Sequence, residues 1–169
     1  MSRIRPDQLL LPSILDRLID ENPESSVESD RSRAQLLREL KLSVRRDLEN
    51  LLNTRACLFP LPDPLPDHYK HLEKSLVNYG IPDFSSLGMG GREQRDQLRK
   101  RLERVIQHFE TRFLRVEVVM IDNRNDHRDR TIRFRIEGML HAEPSPEPVA
   151  FDSQLQPGSG DFKIQGQDS

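Results

Sequence analysis

The chain has 169 residues, of which only 34% are hydrophobic while 32% are charged, so we expect one compact domain with a small core under a charged surface. The net charge of -2 hides an asymmetry, because residues 137–169 contain six acids and one base, Lys163. A charge dipole of this kind suits assembly with other proteins and argues against bulk nucleic-acid binding.

The single cysteine, Cys57, cannot form an internal disulfide, so a reducing compartment fits the chain best. No segment approaches the roughly 20 apolar residues that a membrane-spanning helix needs. The apolar run near the N-terminus is too short for a convincing signal peptide. We therefore expect a cytoplasmic protein with no direct membrane insertion.

A short helix is predicted near the N-terminus. The sequence from Ser13 to Asp16 has the form of a capping box, and apolar residues on one helical face follow it, which predicts a helix over about residues 13–21. An Asn-Pro pair ends this helix, and the polar segment after it is typical of a linker. We assign residues 1–30 to this helix and a flexible linker.

The strongest helical pattern follows the linker. From Ala34 onward, apolar residues recur at steps of three and four, the period of one helix face, and this predicts a helix that ends near Arg55. The apolar positions are Leu37, Leu40, Val44, Leu48, Leu51 and Leu52. Four prolines at every second position over residues 60–66 then predict an extended strap, and a brief helix is expected over about residues 71–79.

A second clear helix is predicted over residues 92–109, after a glycine-rich hinge at residues 88–91. Its apolar stripe consists of Leu98, Leu102, Val105, Ile106 and Phe109. Six bases and three acids cover its other side, which is a pattern that could follow a nucleic-acid backbone. No aromatic residue lies between the bases for stacking, so we favour a solvated face with internal ion pairs, such as one made by Glu103.

Beyond the second helix the apolar period changes from 3.6 to 2. Two antiparallel strands joined by a polar loop are predicted, the first marked by Val116, Val118 and Met120 and the second by Ile132, Phe134 and Ile136. Three prolines, at positions 144, 146 and 148, are expected to break the sheet pattern. A third strand follows at Val149, Phe151 and Leu155, and a short fourth at Asp161 to Ile164.

Helices followed by strands predict an α+β domain, in which the helices pack on one face of a small antiparallel sheet of three to four strands. We assign this domain to residues 31–155. Residues 156–169 are expected to form a short strand and a flexible tail.

Acids that could form a catalytic pair are abundant, namely Glu49, Glu73, Asp83 and Glu110. A glycosidase needs two carboxylates about 5 to 10 Å apart, with the pKa of one of them raised in an apolar pocket. Nothing in the spacing of these acids selects two of them. A carboxylate-pair hydrolase is therefore a minor alternative from the residues alone.

Metal and phosphate sites are poorly supported. His68 and His71 stand three residues apart and Cys57 lies upstream, but a zinc site needs three or four ligands and no second cluster completes the set. The glycines before the second long helix lack the Gly-Lys-Ser/Thr ending of a phosphate loop. We expect no metal and no cofactor.

Four segments together resemble one family. They are LLPSILDRL at residues 10–18, RRDLENLLNTR at 45–55, SLVNYGIPDFSS at 75–86 and HFETRF at 108–113. In this order, and over about residues 9 to 165, they resemble the TssE family of type VI secretion system baseplate subunits. That family is similar to the lysozyme-like wedge protein of contractile phage tails.

The resemblance implies a structural, non-enzymatic component of a contractile injection machine. Such a subunit joins the baseplate wedge, with TssF, TssG and TssK, to the first ring of the TssB and TssC sheath and helps to nucleate sheath assembly. It also implies a cytoplasmic location at the inner-membrane-docked baseplate. The alternative is a peptidoglycan-cleaving, lysozyme-like hydrolase.

The resemblance also directs attention to HFETRF, where the family usually has Glu-Pro-Arg, a feature thought to dock other baseplate components. Glu110 and Arg112 are present here, and Thr111 stands at the proline position. An anion at a helix C-terminus is disfavoured by roughly 0.3 to 1 kcal/mol, so Glu110 needs a compensating partner. With extended backbone at Thr111, Glu110 and Arg112 should face the same side.

Two interpretations of this pair remain open, an internal structural pair and an intersubunit docking point. Internal partners on the long helix would be Arg45, Arg46 or Asp47. The residues predicted for protein binding are therefore Glu110, Thr111, Arg112, Arg45, Arg46 and Asp47.

A free edge of an antiparallel sheet can accept a strand from another chain. From the resemblance, we hypothesise that the edge near the acidic third or fourth strand templates the first sheath ring by strand addition, with no bond made or broken.

Overall fold

A computed structural model describes residues 14–19, 32–56, 70–73, 75–81, 91–121, 131–142, 145–156 and 158–166. The helices are α1 (Ile14–Leu18), α2 (Arg33–Asn53), α3 (Lys70–Glu73) and α4 (Arg92–Phe109), with a 3-10 turn at Leu76–Asn78. The strands are β1 (Phe113–Ile121), β2 (Ile132–Leu140), β3 (Glu147–Gln156) and β4 (Asp161–Gly166).

The strands form one antiparallel sheet in the order β1-β2-β3-β4. The predicted α+β class, with helices before a small antiparallel sheet, is confirmed. α4 lies against β1 and α2 lies against β4, so that the two long helices cover different parts of the sheet.

Several predicted segments differ from the structure or lie outside it. The N-terminal helix is shorter than predicted, with five residues from Ile14 to Leu18. The expected break at Pro148 is wrong, because this proline lies inside β3, where it pairs with Met139 of β2. The proline strap, residues 88–90 of the glycine hinge, the polar hairpin loop, Cys57 and His68 lie outside the described residues.

The start of α2 is fixed by a capping box at Ser32, which the pattern of apolar residues from Ala34 onward does not predict. The Ser32 hydroxyl accepts a hydrogen bond from the backbone N–H of Gln35 at 3.3 Å, and Gln35 Oε1 accepts one from the Ser32 N–H at 2.8 Å. Two backbone donors that the first helical turn leaves free are thereby satisfied. The Ser-x-x-Gln spacing at residues 32–35 carried this signal.

The core lies between the helices and one face of the sheet. The apolar stripes predicted for both long helices are buried in it, through Leu40, Val44, Leu48, Leu51 and Leu52 of α2 and Leu98, Leu102, Val105 and Ile106 of α4. The sheet contributes Phe134 and Phe162, whose rings meet edge to face with centroids 6.1 Å apart. Burial of each such side chain contributes roughly 1.5 to 3 kcal/mol relative to exposure.

The segment around Gly80 connects the end of α2 to the core. The Ile81 N–H donates to the Thr54 carbonyl at 2.9 Å, and the Ala56 N–H donates to the Ile81 carbonyl at 3.0 Å. Ile81 is completely buried. Gly80 has φ +105°, and a Cβ at this position would lie 2.3 Å from the Thr54 carbonyl oxygen. Only glycine fits here without strain.

Gly80→Ala should therefore destabilise the protein by about 1 to 3 kcal/mol, the usual range for strained backbone, measured as a lower midpoint of urea unfolding. Gly158→Ala is the matched control, because a Cβ at residue 158 meets nothing within 4 Å. Equal midpoints for the two variants would contradict the role of Gly80.

Candidate functional site

The junction of α4 and β1 brings Glu110 and Arg112 together. Glu110 caps the C-terminus of α4, where its N–H donates to the Ile106 carbonyl at 2.9 Å. Thr111 lies in the turn before β1 and is exposed. Arg112 Nε donates to Glu110 Oε1 at 2.8 Å, and Arg112 Nη2 donates to Glu110 Oε2 at 2.5 Å. The two side chains face the same side and form a bidentate pair, although Thr111 lies in a turn and not in the extended backbone on which this expectation was based.

Arg112 also reaches across to α2. Its Nη2 donates to Asp47 Oδ2 at 2.6 Å, and its Nη1 donates to Ser43 Oγ at 2.9 Å. Its carbonyl oxygen accepts a hydrogen bond from the N–H of His141, just after β2, at 2.8 Å. One residue therefore connects the α4–β1 turn, the middle of α2 and the end of β2.

Further contacts attach α1 to the same group of charges. Arg46 donates from Nη2 to Asp16 Oδ1 at 2.7 Å, and from Nε and Nη2 to Asp47 Oδ1 at 3.1 and 3.0 Å. The Ser43 hydroxyl donates to Asp16 Oδ2. We call the six residues together the charge cluster. Its members are Asp16, Ser43, Arg46, Asp47, Glu110 and Arg112.

The centre of the charge cluster is largely removed from water. The side chains of Glu110 and Arg112 are 8% and 16% exposed. Burial lowers the pKa of Arg112, but the hydrogen bonds and charges of Glu110 and Asp47 outweigh this effect and raise the pKa above its ordinary value. A hydrogen bond to Asp16 is the main cause of a raised pKa at Arg46. Both guanidinium groups are therefore permanently charged.

Arg45 has a different environment from the other predicted site residues. It lies on another side of α2, beside Gly166 at the end of β4, and makes none of the contacts of the charge cluster. Its Nε is buried and has no hydrogen-bond partner within the described residues. The structure thus places Glu110, Arg112, Asp47 and Arg46 together, with Thr111 above them on the surface, and separates Arg45 from them.

Sequence reasoning did not identify Ser43 or Asp16 as members of the site. Ser43 stands four residues before Asp47, so the two share a face of α2, and a serine at a 7% exposed position needs a polar partner. That spacing was visible in the sequence. The contact of Asp16 with the cluster could not be read from the sequence, because it depends on how α1 packs against α2.

The arrangement of these side chains does not favour a carboxylate-pair hydrolase or a metal site. Glu110 Oε1 accepts from the N–H and Nε of Arg112, and Oε2 accepts from Nη2, so that both oxygens are occupied. The side chains of Glu73 and Asp83 lie outside the described residues. Within the described part of the chain, no group of His, Cys, Asp and Glu is arranged to hold a metal ion.

The basic face of α4 is partly neutralised by its own acids. Arg99 bonds Asp96 and Glu103 at 2.8 Å each, and Lys100 bonds Asp96 at 2.8 Å. The predicted internal pairing of Glu103 is confirmed. None of the helices among the described residues is both long and apolar enough to cross a membrane.

Comparison with known protein families gives a match over most of the chain. The model of a family described as baseplate wedge protein gp25 matches residues 38–145. This range starts within α2, ends just before β3 and includes every member of the charge cluster except Asp16. The searches of curated proteins and of solved structures both returned no match.

Removal of one partner of the buried pair should be strongly destabilising. We expect Arg112→Ala to lower the free energy of unfolding by about 3 to 5 kcal/mol, because Glu110 is then left buried without its counter-charge. The double variant Glu110→Ala, Arg112→Ala should lose less than the sum of the two single losses, with a coupling of about 0.5 to 3 kcal/mol in urea unfolding.

Arg115→Ala is the control for this cycle. Arg115 pairs with Glu117 at 3.6 Å, but the two side chains are 79% and 58% exposed, so its removal should change stability little. A loss for Arg112→Ala as small as the loss for Arg115→Ala would show that the charge cluster does not stabilise the fold.

Tyr79 can report on the field of the charge cluster. Burial, followed by the negative charges of Asp47 and Glu110, raises the pKa of this phenol above 10.0. In a Tyr69→Phe background, Tyr79 is the remaining tyrosine. Absorbance at 295 nm should then show that Tyr79 ionises at a higher pH than free tyrosine does.

Asp47→Asn should move the pKa of Tyr79 part of the way down, since burial is the larger cause and remains. The fold disfavours the phenolate form of Tyr79, so folding favours the neutral phenol. The stability that this preference contributes is fully present below about pH 10 and is lost as the pH rises through the folded-state pKa. An unchanged titration curve in folded Asp47→Asn protein would refute this coupling.

Proposed function

This chain belongs to the family of baseplate wedge protein gp25, the family of TssE, and from that membership we propose that it joins the baseplate wedge of a type VI secretion system to the contractile sheath and helps to nucleate sheath assembly. The family match is the observation that carries the proposal, because it covers most of the helices and half of the sheet. A structural role in a baseplate follows from the family itself.

Contacts with other baseplate proteins are part of such a role. We assign TssF, TssG and TssK as partners on the wedge side, and TssB and TssC as partners on the sheath side. The protein then works in the cytoplasm, at the baseplate docked to the inner membrane. No step of this function requires a cofactor.

The charge cluster would support docking indirectly. All three guanidinium nitrogens of Arg112 already donate to protein oxygens, and both oxygens of Glu110 already accept. A partner that bonded these groups directly would have to break buried ion pairs. The surface available to a partner is the turn that they hold in place, where Thr111 is exposed, together with the adjoining start of β1, where Leu114 is 50% exposed.

The proposed role involves no catalysis. A general acid of the lysozyme type needs a carboxyl group kept protonated by an apolar pocket. Both oxygens of Glu110 instead accept hydrogen bonds from the guanidinium group of Arg112, so that this carboxyl group lies in a charged cluster and not in an apolar pocket. This contact favours the structural role over the alternative of a peptidoglycan-cleaving hydrolase.

Co-purification with tagged TssF, TssG and TssK tests the wedge side. Leu114→Glu should abolish co-purification while the melting temperature stays close to that of the wild type, since a charge at this exposed position next to the turn disrupts docking but not the core. Val119→Glu is the matched control, because Val119 is a comparably exposed apolar residue elsewhere on β1, at 40%.

One result would exclude the proposed docking surface, and another would refute the structural role itself. Equal retention of the Leu114→Glu and Val119→Glu variants would exclude the turn as the docking surface. Lysis of purified cell walls by the wild-type chain, seen as falling turbidity and abolished by Glu110→Gln, would establish the hydrolase instead.

A further inference from the structure

β1 lies at one edge of the sheet. The strand order is β1-β2-β3-β4, and no other strand among the described residues pairs with β1 on its outer side. The outward N–H and C=O groups of an edge strand are a template for pairing with another chain. The sequence strengthens this tendency, because residues 116–121 are apolar apart from Glu117 and include no proline. Such an edge associates readily unless something closes it.

Glu103 of α4 occupies the middle of this edge. The N–H of Val118 donates to Glu103 Oε1 at 3.0 Å, so it points away from β2, although Val118 lies opposite Ile136. Because the backbone groups of a strand alternate in direction, the N–H groups of Val116 and Met120 point to the same side. Neighbouring strands lie about 4.8 Å apart. The carboxylate therefore takes the central donor of this edge and stands where an added strand would run.

Ion pairs on α4 hold this carboxylate in place. Arg99 Nη1 donates to Glu103 Oε1 at 2.8 Å and to Oε2 at 2.9 Å. Asp96 Oδ1 accepts from Nε and Nη2 of Arg99 at 3.1 and 2.8 Å, and Asp96 Oδ2 pairs with Lys100 at 2.8 Å. Partly exposed ion pairs of this kind contribute little to stability. Their main consequence is the orientation of Glu103, whose charge strengthens the bond from the Val118 N–H.

A second copy of the chain fits the edge of β1 in a self-complementary way. Two β1 strands running antiparallel about a two-fold axis through Val118 would exchange both backbone hydrogen bonds at that residue. Glu117 would then face the second copy's Val119, so that the two glutamates at position 117 would not meet. The same axis would bring the two Glu103 carboxylates together, where they repel. Glu103 therefore opposes pairing of β1 with its own copy in particular.

We propose that Glu103 prevents two copies of this chain from pairing through their β1 strands, by holding its carboxylate on the N–H of Val118. Charged side chains placed at exposed strand edges have this effect in other sheets. The property is separate from the proposed docking role, since it concerns contacts between free copies of the chain. A subunit that must contact different baseplate proteins benefits from an edge that is closed to its own copies.

Sedimentation velocity over a range of protein concentrations tests the inference. The wild-type chain should stay monomeric, whereas Glu103→Ala should form a dimer whose fraction rises with concentration. Glu103→Gln should stay monomeric, because its amide oxygen accepts from the Val118 N–H at the same reach. The matched control is Glu93→Ala, which removes the same charge at an exposed position in the first turn of α4 and should also stay monomeric.

Two substitutions at Val119 test the proposed register in the Glu103→Ala background. Val119 is 40% exposed, so a polar side chain is tolerated there. Glu103→Ala, Val119→Glu should return to the monomer, because the new glutamate faces the second copy's Glu117. Glu103→Ala, Val119→Lys should still dimerise, because opposite charges then face each other. Equal association of these two double variants would exclude the β1 pairing and overturn the inference.

Hydrogen exchange at the Val118 amide locates the contact. In dilute monomer, Glu103→Ala should speed this exchange by about tenfold or more, the effect of losing one hydrogen bond to a charged group. The exchange should slow again as concentration rises and β1 pairs, whereas the wild type should show no dependence on concentration.

The inference is overturned if Glu103→Ala is monomeric at every concentration, or if Glu93→Ala or Glu103→Gln dimerises equally. It is also overturned if Glu103→Ala associates without slower exchange at Val118. Faster exchange at buried Phe134 together with association would show that the variant aggregates through unfolding, which equally contradicts the inference.

Discussion

The guanidinium group of Arg112 is the constraint on which the arrangement of the helices depends. With 16% of its side chain exposed, it must find acceptors inside the protein, and it finds them on two different elements. Glu110 supplies both oxygens from the turn, and Asp47 and Ser43 supply theirs from α2. An unpaired buried charge costs several kcal/mol, so neither element can move without the other. Through the bond from His141, the end of β2 is held to the same point.

This constraint also explains how the turn is fixed without a proline. The family resemblance implies a proline between the glutamate and the arginine, where this chain has Thr111. A proline would restrict the backbone through its ring. Here the Arg112 N–H and side chain both donate to the Glu110 carboxylate, and the Phe113 N–H donates to the Glu110 carbonyl at 3.3 Å. Hydrogen bonds on both sides of Thr111 therefore hold the turn, and the threonine stays available on the surface.

The helices and strands whose apolar residues recur with one regular period could be predicted from the sequence. The stripes of α2 and α4 and the alternation in β1 and β2 follow from burial of one face, and the structure shows them. Contacts between distant segments could not be predicted, because Arg112 and Asp47 lie 65 residues apart and meet only once α2 packs beside the turn. Pro148 was misjudged for a related reason. A proline disrupts a strand that pairs on both sides, but β3 is open on one side at this position within the described chain.

α2 carries charged residues on both flanks of its buried stripe. Ser43, Arg46 and Asp47 lie on one flank and are satisfied within the protein, whereas Arg38 and Arg45 lie on the other without a counter-charge among the described residues. The ion-paired charges fix the position of the helix, whereas Arg38 is exposed to solvent and contributes little to that position. A helix of 21 residues is about 30 Å long and stiff. The flank that carries Ser43 and Asp47 therefore holds this rigid element against the turn, which is the docking surface of the proposed function.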